Sequence, residues 1–465
     1  MATDARFDAP SARNVFGEAI NTSTRHDKPA AAQRTVDIGK HSIGINRFSI
    51  SGVSRIRRGF LSTLLEPVFA AQTVAQVAIE SREAAGKLKA LGVAKDVQVL
   101  LDQPDNNQEG IDVHFDCVDG SRYAIKTGVN VGDDEGTASV TGRLNNIFGG
   151  GESLEANYTR GNKTQAAFQG VLSMPVAADP LKQLEMSASQ ATLDNRPYSS
   201  YDEVRRTLST AYRASQLGGP SHELRYSTSW REICNIGYRA SPTLRSEAGH
   251  SLKSSMLYTV AYDDRDSHTV PTCGSLLKAT TEIAGLLGDV RFAKVQAELQ
   301  SNQRIADSEF VVSTGLQAGV LWSQGRSPIS DRFTLGGLTS VRGFEYRGIG
   351  PHDGDDSIGG DIFYAAGISL LTPLPYIRTN ALKGHLWANA GQLALLDDRG
   401  LLRNRNSVAD EIYRFFVRPS AAVGVGLVYR HSMVRVELSC CLPMLATTTD
   451  RPKPGVQFGL GVQFL

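Results

Sequence analysis

The stretch Gly336-Gly337-Leu338-Thr339-Ser340-Val341-Arg342-Gly343-Phe344-Glu345 lies between two segments that alternate like β-strands, Val311 to Ser323 and Ile362 to Leu371. Glycine and charged residues are frequent in this interval, which is typical of a loop. A solvent loop, however, has little use for Val341 and Phe344 on either side of an arginine. An arginine among small and apolar residues is suited to a partly dry cavity, where its planar guanidinium holds carboxylates or carbonyls. The motif alone leaves a plain solvent loop as the alternative.

Alternating segments continue beyond this loop to the end of the chain. The last two run from Val434 to Cys440 and from Val456 to Phe464. In each, large apolar residues occupy one face, and charged, amide and glycine residues occupy the other. A soluble β-sandwich also alternates, but it buries its large apolar side chains in a core. The small, polar second face favours a narrow, wet lumen with a lipid-facing exterior.

Upstream, the same pattern begins at residue 122 and continues without a break to residue 159. We expect a first strand from Arg122 to Val131, with one face formed by Tyr123, Ile125, Thr127, Val129 and Val131. Counting all such segments gives about sixteen, and those between residues 182 and 305 are the least clearly bounded. An even number returns both ends of a barrel to the same side of a membrane. The quoted loop then follows strand eleven on the opposite side and must fold inward to reach the lumen.

Residues 41 to 120 show a different pattern from the rest of the chain. Apolar spacing predicts the order strand, helix, helix, strand, strand over residues 45–50, 55–69, 73–91, 97–102 and 111–118. Pro67 is predicted to end the first helix, and Gly92 to cap the second. This order resembles a polypeptide-transport-associated (POTRA) domain, which offers a sheet edge to an extended client. A small α+β domain without a client is the alternative.

Composition narrows the possible functions. The chain has 465 residues, a formal net charge of +1 and a mean hydropathy of −0.21. A near-neutral charge gives no reason to expect a nucleic-acid partner. The sequence contains no run of 18 or more apolar residues, so no transmembrane helix is predicted. Barrel strands remain possible, because they alternate and keep overall hydropathy low. Residues 1–40 are polar and lack the apolar core of a secretory signal, so we expect a polar tail there.

Neither the cysteines nor the acidic residues predict a metal or redox centre. The five cysteines are scattered and odd in number, which fits neither a disulfide framework nor a zinc site. The adjacent Cys440 and Cys441 would point to opposite faces of a strand. A metal-dependent enzyme could use the cluster His352, Asp353, Asp355 and Asp356, but a solvated acidic loop is the simpler interpretation.

Together these features resemble the outer-membrane β-barrel insertase superfamily of bacteria and organelles, also known as the bacterial surface antigen family. The resemblance covers about residues 43 to 465. It rests on the single β-α-α-β-β domain, the roughly sixteen strands, and the motifs Gly337–Phe344, Asp361–Tyr364, Thr372-Pro373 and Asn389–Gly391. One such domain, no signal peptide and the turn Gly132–Gly136 resemble in particular the core subunits of the mitochondrial sorting and assembly machinery.

The resemblance implies a mainly β protein with three parts: a polar tail at 1–40, a POTRA domain at 41–120, and an approximately 16-stranded transmembrane barrel at 121–465. A loop at about 325–360 folds into the barrel. The implied function is insertion of β-barrel precursors into the mitochondrial outer membrane, with the POTRA domain in the intermembrane space. Implied partners are porin-like precursors, peripheral subunits of the machinery, intermembrane-space chaperones and outer-membrane lipid. No enzymatic activity, cofactor, metal or nucleic acid is implied.

The first implied site is the lumen-loop motif, formed by Gly337, Val341, Arg342, Gly343 and Phe344. In bacterial members the motif arginine commonly meets an aspartate on strand thirteen. The matching position in this chain is Asn389, so Arg342 must bind a neutral amide or another acidic residue. Glu437 faces inward on strand fifteen by its parity and is the second candidate partner.

The second implied site is the seam, the junction between the first and last barrel strands. On the last strand, the residues Lys453, Gly455, Phe458, Leu460 and Phe464 match a mitochondrial sorting signal, although an ordinary closing strand fits the same pattern. Unpaired backbone groups in lipid cost several kcal/mol each. A seam that opens therefore exposes two edges with which a precursor strand can pair. Glycines at 455, 459 and 461 weaken the last strand and would ease release of the precursor.

Two other membrane functions use a similar barrel. A passive porin would need neither the N-terminal domain nor the inward loop. A translocation channel of the same superfamily, which passes polypeptides through the lumen, fits the same motifs and is the main alternative.

Overall fold

The computed structural model describes residues 44–53, 55–102, 110–132, 135–305, 309–374, 381–396, 415–431 and 434–461. The predicted tail at 1–40 and the seam residue Phe464 lie outside these ranges. Within them, no helix is both long and apolar enough to cross a membrane.

The N-terminal elements form a small α+β unit. They are β1 (Ile45–Ser51), α1 (Arg58–Ala70), α2 (Val74–Ala90), β2 (Ala94–Asp102) and β3 (Ile111–Asp119). The sheet order is β1-β3-β2. β1 lies parallel to β3, and β2 lies antiparallel to it. A parallel pair needs a long crossover connection, and the two helices lie on the connection between β1 and β3. The predicted β-α-α-β-β order is confirmed.

The two helices begin and end for identifiable reasons. Thr73 caps α2, since its side chain accepts a hydrogen bond from the Gln76 N–H. Gly92 follows the end of α2 with φ +68°, as its predicted capping role requires. The helix was predicted to end at Phe69, with Pro67 marking its end, and α1 ends one residue later, at Ala70. Pro67 lies in its last turn, where its ring and missing N–H disfavour further helix.

The first of two compact units contains these elements together with two barrel turns, at residues 143–154 and 173–184. Its core includes Val68, Leu88 and Phe115, each fully buried. Ala178 from the second turn packs into the same cluster. Arg57 forms an ion pair with Glu152 of the first turn. The barrel turns are therefore integral to this unit.

Sixteen strands form a closed barrel in chain order, and the predicted fold class is confirmed. They are β4 (Tyr123–Gly132), β5 (Glu135–Asn145), β6 (Ser153–Gly161), β7 (Thr164–Val176), β8 (Asp179–Asp194), β9 (Asp202–Ser215), β10 (Ser221–Cys234), β11 (Gly249–Asp263), β12 (Gly274–Gly288), β13 (Phe292–Arg304), β14 (Val311–Ser323), β17 (Ile362–Pro373), β18 (Leu382–Ala394), β19 (Ser420–His431), β20 (Val434–Leu445) and β21 (Gly455–Gly461). Four short elements lie in the described loops: α3 (Pro242–Ser246), a 3-10 helix (Ile329–Asp331), β15 (His352–Asp353) and β16 (Asp356–Ser357).

Alternation assigns the two faces of the barrel wall. On β20, Leu438 and Leu442 are 45% and 57% exposed, whereas Glu437 and Ser439 are fully buried. The apolar residues thus face outward and the polar residues inward. Cys440 is exposed and Cys441 is buried, as expected for neighbours on a strand, and both are free thiols.

Candidate functional site

The loop between β14 and β17 packs against the inner wall of the barrel. Its apolar residues Leu335, Val341, Phe344 and Ile349 are each at most 1% exposed. They share a buried cluster with wall residues of seven strands, among them Phe363, Ala365, Trp387, Leu393, Ala422 and Cys441. This buried contact places the motif arginine among inward-facing side chains rather than in solvent.

Arg342 meets a carboxylate on the wall. Its Nε donates to Glu437 Oε1 at 3.0 Å, and the two side chains are 2% and 0% exposed. Glu437 also accepts from Arg435 Nη2 at 2.8 Å and from the Ser439 hydroxyl at 2.9 Å. His385 Nδ1 lies 3.4 Å from the same carboxylate. A single buried carboxylate therefore holds two arginines from different parts of the chain.

The other candidate partner, Asn389, is placed differently. It is buried, but neither its amide nitrogen nor its amide oxygen has a hydrogen-bond partner within the described ranges. Between Asn389 and His385 on the same inward face, Trp387 lies with its ring centre 5.4 Å from the Arg342 guanidinium carbon. Of the two candidates, the structure thus brings Glu437 to Arg342, and an aromatic face adds a cation–π contact.

The glycine after the arginine is required by the backbone. Gly343 has φ +82°, and a Cβ built there would lie 2.9 Å from the Ala422 Cβ. Only glycine adopts this conformation at little cost, and only glycine fits so close to the wall. Its N–H donates to Gln457 Oε1 on β21 at 3.3 Å. The motif is thereby joined to the last strand of the barrel.

Beyond Gly343, the loop pairs with the segment that leads into β21. Lys453 N–H donates to the Gly343 carbonyl at 2.8 Å, and Glu345 N–H donates to the Arg451 carbonyl at 3.0 Å. Arg451 N–H donates in turn to the Gly348 carbonyl at 2.8 Å. Lys453 of the predicted sorting signal is therefore held by the lumen-loop motif.

A substitution in the barrel wall that the loop contacts tests this packing. A Cβ at Gly391 on β18 would lie 2.8 Å from the Tyr364 carbonyl oxygen and 3.0 Å from side-chain atoms of Leu335 and Val341. We expect Gly391→Ala to lower stability by about 1 to 3 kcal/mol through overpacking. Thermal unfolding of the purified barrel measures this loss. Gly142→Ala on β5 is the control, because no atom lies within 4 Å of its added Cβ, and an equal loss there would contradict the packing argument.

A second ionic anchor, which the sequence reasoning missed, lies at the other end of the loop. Asp331 accepts from Arg231 Nη1 at 2.7 Å and Nη2 at 2.8 Å, and from Lys253 Nζ at 2.8 Å. Lys253 also binds Glu282 at 2.6 Å, and Lys294 Nζ donates to the Asp331 carbonyl at 2.8 Å. The alternation that places Arg231 and Lys253 on the inner face was the available signal. It could not be used, because both residues belong to the middle strands, whose bounds the sequence leaves unclear.

The candidate metal cluster, His352, Asp353, Asp355 and Asp356, lies in a small hairpin in which β15 pairs with β16. Asp356 accepts from the Ser200 hydroxyl at 2.7 Å, from Ser200 N–H at 2.8 Å and from Ser241 N–H at 2.7 Å. Burial opposes its ionised form, but these hydrogen bonds hold the pKa of Asp356 below its ordinary value. Within the described ranges, no group of three or more His, Cys, Asp or Glu side chains is placed to hold a metal ion.

The seam brings together the two predicted edge strands. In the described part of the chain, β21 and β4 share one antiparallel register pair, Leu460 with Val131. The predicted outer face of β4 is exposed, with Tyr123 at 63%, Ile125 at 79% and Val129 at 59%. On β21, Phe458 is 50% exposed. These side chains line the outer surface on both sides of the junction.

Comparison with known proteins agrees with this architecture. The Omp85 superfamily domain matches residues 146–464. The chain is 33% identical over 463 residues to sorting and assembly machinery component 50 homolog B of Xenopus laevis, covering 97% of this chain and 96% of the relative. It is 32% identical to the human sorting and assembly machinery component 50 homolog, covering 94% and 93% of the two chains.

A solved structure shares the fold. The crystal structure of BamA from Haemophilus ducreyi lacking POTRA domains 1–3 superposes with a TM-score of 0.75 at 17% identity. The match covers 90% of this chain and 84% of that one.

Proposed function

Because the chain belongs to the Omp85 superfamily and to its group of sorting and assembly machinery component 50 homologs, we propose that it inserts β-barrel precursors into the mitochondrial outer membrane through its seam. Insertion of barrels is the activity that this family and its barrel fold support. The route through the seam is the finer part of the proposal. One observation carries it: the lumen-loop motif hydrogen-bonds to β21, the strand that closes the barrel against β4.

The mechanism follows from the cost of unpaired backbone in lipid. A precursor strand cannot enter the hydrocarbon region while its N–H and C=O groups lack partners, since each costs several kcal/mol. If β4 and β21 separate, their edges offer those partners, and the terminal strand of the precursor adds to the barrel by β-augmentation. Later hairpins then pair with the strand already seated. No covalent bond changes, and the driving energy is the precursor's own folding.

In this account the chain spans the mitochondrial outer membrane, and the POTRA domain at about 41–120 lies in the intermembrane space. Both ends of an even-stranded barrel lie on one side, so the domain and the C-terminus share that compartment. Precursors, soluble chaperones and peripheral subunits would meet the protein there or on the cytosolic face. The edge strands of the three-stranded sheet, β1 and β2, are the positions at which an extended precursor could add a strand.

The main alternative, a channel that passes polypeptides through the lumen, leaves its client in a different place. Purified protein in liposomes should speed the folding of a barrel precursor relative to empty liposomes. Insertion through the wall leaves the client in the bilayer, where it resists extraction by urea and migrates as a folded barrel in unheated gels. Recovery of the client in the aqueous interior of the liposomes would support the channel instead.

A further inference from the structure

The lumen-loop motif continues into a second set of contacts, on the other side of the seam. Tyr346 and Tyr198 form a T-shaped pair with ring centres 5.1 Å apart. Tyr198 lies in the loop between β8 and β9. Lys163, from the turn between β6 and β7, places its Nζ 4.6 Å from the Tyr346 ring centre and 5.1 Å from that of Tyr198. These contacts join the loop to the N-terminal strands of the barrel.

Arg347 completes this cluster. Its guanidinium carbon lies 4.6 Å from the Tyr198 ring centre and 5.6 Å from that of Tyr346. Its backbone has φ +58°, a left-handed conformation that is uncommon for residues other than glycine. A strained backbone persists where surrounding contacts hold it in place. We call Lys163, Tyr198, Tyr346 and Arg347 the aromatic clamp.

The opposite side of the same short segment is bound to the C-terminal strands. Gly343 contacts Gln457 on β21, and residues 343–348 pair with residues 451–453. From Gly343 to Arg347 the chain spans at most about 14 Å when fully extended. The segment therefore has little slack between its two attachments.

The register of the seam explains why such a link matters there. Leu460 pairs with Val131, so Gly132, the last residue of β4, faces Gly459. In this register, residues 455–458 of β21 lie beyond the end of β4. They pair with β20 on their other side. Within the described residues, the loop, rather than a continuous β4–β21 ladder, connects the two sides of the seam at this level.

We propose that residues 343–347 form a strap across the end of the seam nearest the loop, and that the aromatic clamp is its releasable attachment. The strap holds β21 at a fixed distance from the N-terminal strands. Widening this end of the seam then requires release of the clamp or of the Gly343–Gln457 contact. The longer path through β16, where Ser357 N–H donates to the Tyr198 carbonyl at 2.9 Å and Asp356 accepts from Ser200 N–H, then limits how far the seam widens. Lys163, Tyr198 and Arg347 are positioning residues, since they act through the loop on the strands that would receive a client. This role rests on the proposed function, but the width of the seam can be measured without any client.

The test measures distances between spin labels in full-length protein reconstituted in lipid, with the five native cysteines replaced. One label pair, Arg160→Cys on β6 with Val456→Cys on β21, spans the seam. The control pair, Trp322→Cys on β14 with Val456→Cys, spans strands on one side of it. The side chains at all three labelled positions are exposed.

Two variants release the clamp in different ways. Tyr198→Leu removes the aromatic face, whereas Tyr198→Phe keeps it. Arg347→Gly removes the cation but keeps the backbone, because glycine adopts φ near +58° without strain. For both Tyr198→Leu and Arg347→Gly we expect the seam-spanning distance to lengthen by about 5 Å, one inter-strand spacing. The control distance, and all distances in Tyr198→Phe, should match the wild type.

The strap proposal is wrong if the seam-spanning distance stays at its wild-type value in both Tyr198→Leu and Arg347→Gly. It is also wrong if the control distance lengthens by the same amount. Either result would leave the proposed insertase function standing, because the distances are measured without a precursor. Precursor insertion by the same variants separately tests whether clients enter through the seam. A longer seam distance with an unchanged insertion rate would support the strap and count against the seam as the route of insertion.

Discussion

Closing the seam with a covalent link is expected to abolish most precursor insertion. Val131 and Leu460 lie directly opposite each other on β4 and β21. Cysteines at both positions, in a chain free of native cysteine, should react with a short bifunctional thiol reagent, since opposed side chains have Cβ atoms about 4.5 to 5.5 Å apart. We expect the insertion rate in liposomes to fall at least about tenfold, which corresponds to a barrier about 1.4 kcal/mol higher. A cleavable reagent should restore the rate on reduction.

The matched control shares one of the two positions. Val436 faces Leu460 across the other edge of β21. The pair Val436→Cys and Leu460→Cys therefore links β20 to β21 and leaves the seam free. This link should leave insertion close to the wild-type rate. Full insertion by the barrel linked at 131 and 460 would show that clients do not need the seam.

Loss of the Glu437 carboxylate is expected to release the loop. Glu437 is fully buried and accepts from Arg342, Arg435 and Ser439. Glu437→Gln would leave buried guanidinium charge without its counter-charge, and breaking a buried ion pair costs about 3 to 5 kcal/mol. We expect a lower unfolding midpoint in denaturant and faster proteolysis within residues 325–360. Insertion should fall with loop docking, while the N-terminal α+β unit stays folded.

Variants of Arg342, the partner of Glu437, separate the effect of its charge from the effect of its planar shape. Arg342→Ala leaves buried acceptors unpaired, at about 1 to 3 kcal/mol for each group. Arg342→Lys should recover only part of this loss, because an ammonium group cannot reproduce the planar guanidinium. In the Glu437→Gln background, Arg342→Ala should add little further loss, since contacting residues are not additive.

Glu298→Gln is the control for these variants. Glu298 also points inward, on β13, but it forms no salt bridge within the described ranges. It should behave as wild type. Wild-type stability and insertion in Glu437→Gln and Arg342→Ala would mean that docking of the loop is dispensable.

Much of the architecture could be predicted from local pattern. The two-residue alternation predicts barrel strands because one face meets lipid and the other meets a wet lumen. The same parity directs Glu437 inward before any contact is known. The helices and strands before residue 120 follow from apolar spacing and from end signals such as Pro67 in the last turn of α1 and Gly92 after α2.

The parts that could not be predicted depend on contacts between residues distant in the chain. Asp331 binds Arg231, one hundred positions earlier, and no local pattern indicates which wall position a loop will meet. The register between β4 and β21 is likewise set where the two ends of the chain meet. The left-handed Arg347 packs its guanidinium against Tyr198, whose role appears only once the loop is folded.

The most direct test of strand addition at the seam is the register of a trapped precursor on β4. Single cysteines at Ile125, Thr127 and Val129 would be paired with cysteines along the terminal strand of a stalled precursor. Because β21 meets β4 antiparallel, each two-residue step along β4 should shift the best crosslink by two residues in the opposite direction along the precursor. Crosslinks without a fixed register, or confined to lumen-facing positions such as Gln317 on β14, would contradict insertion through the seam.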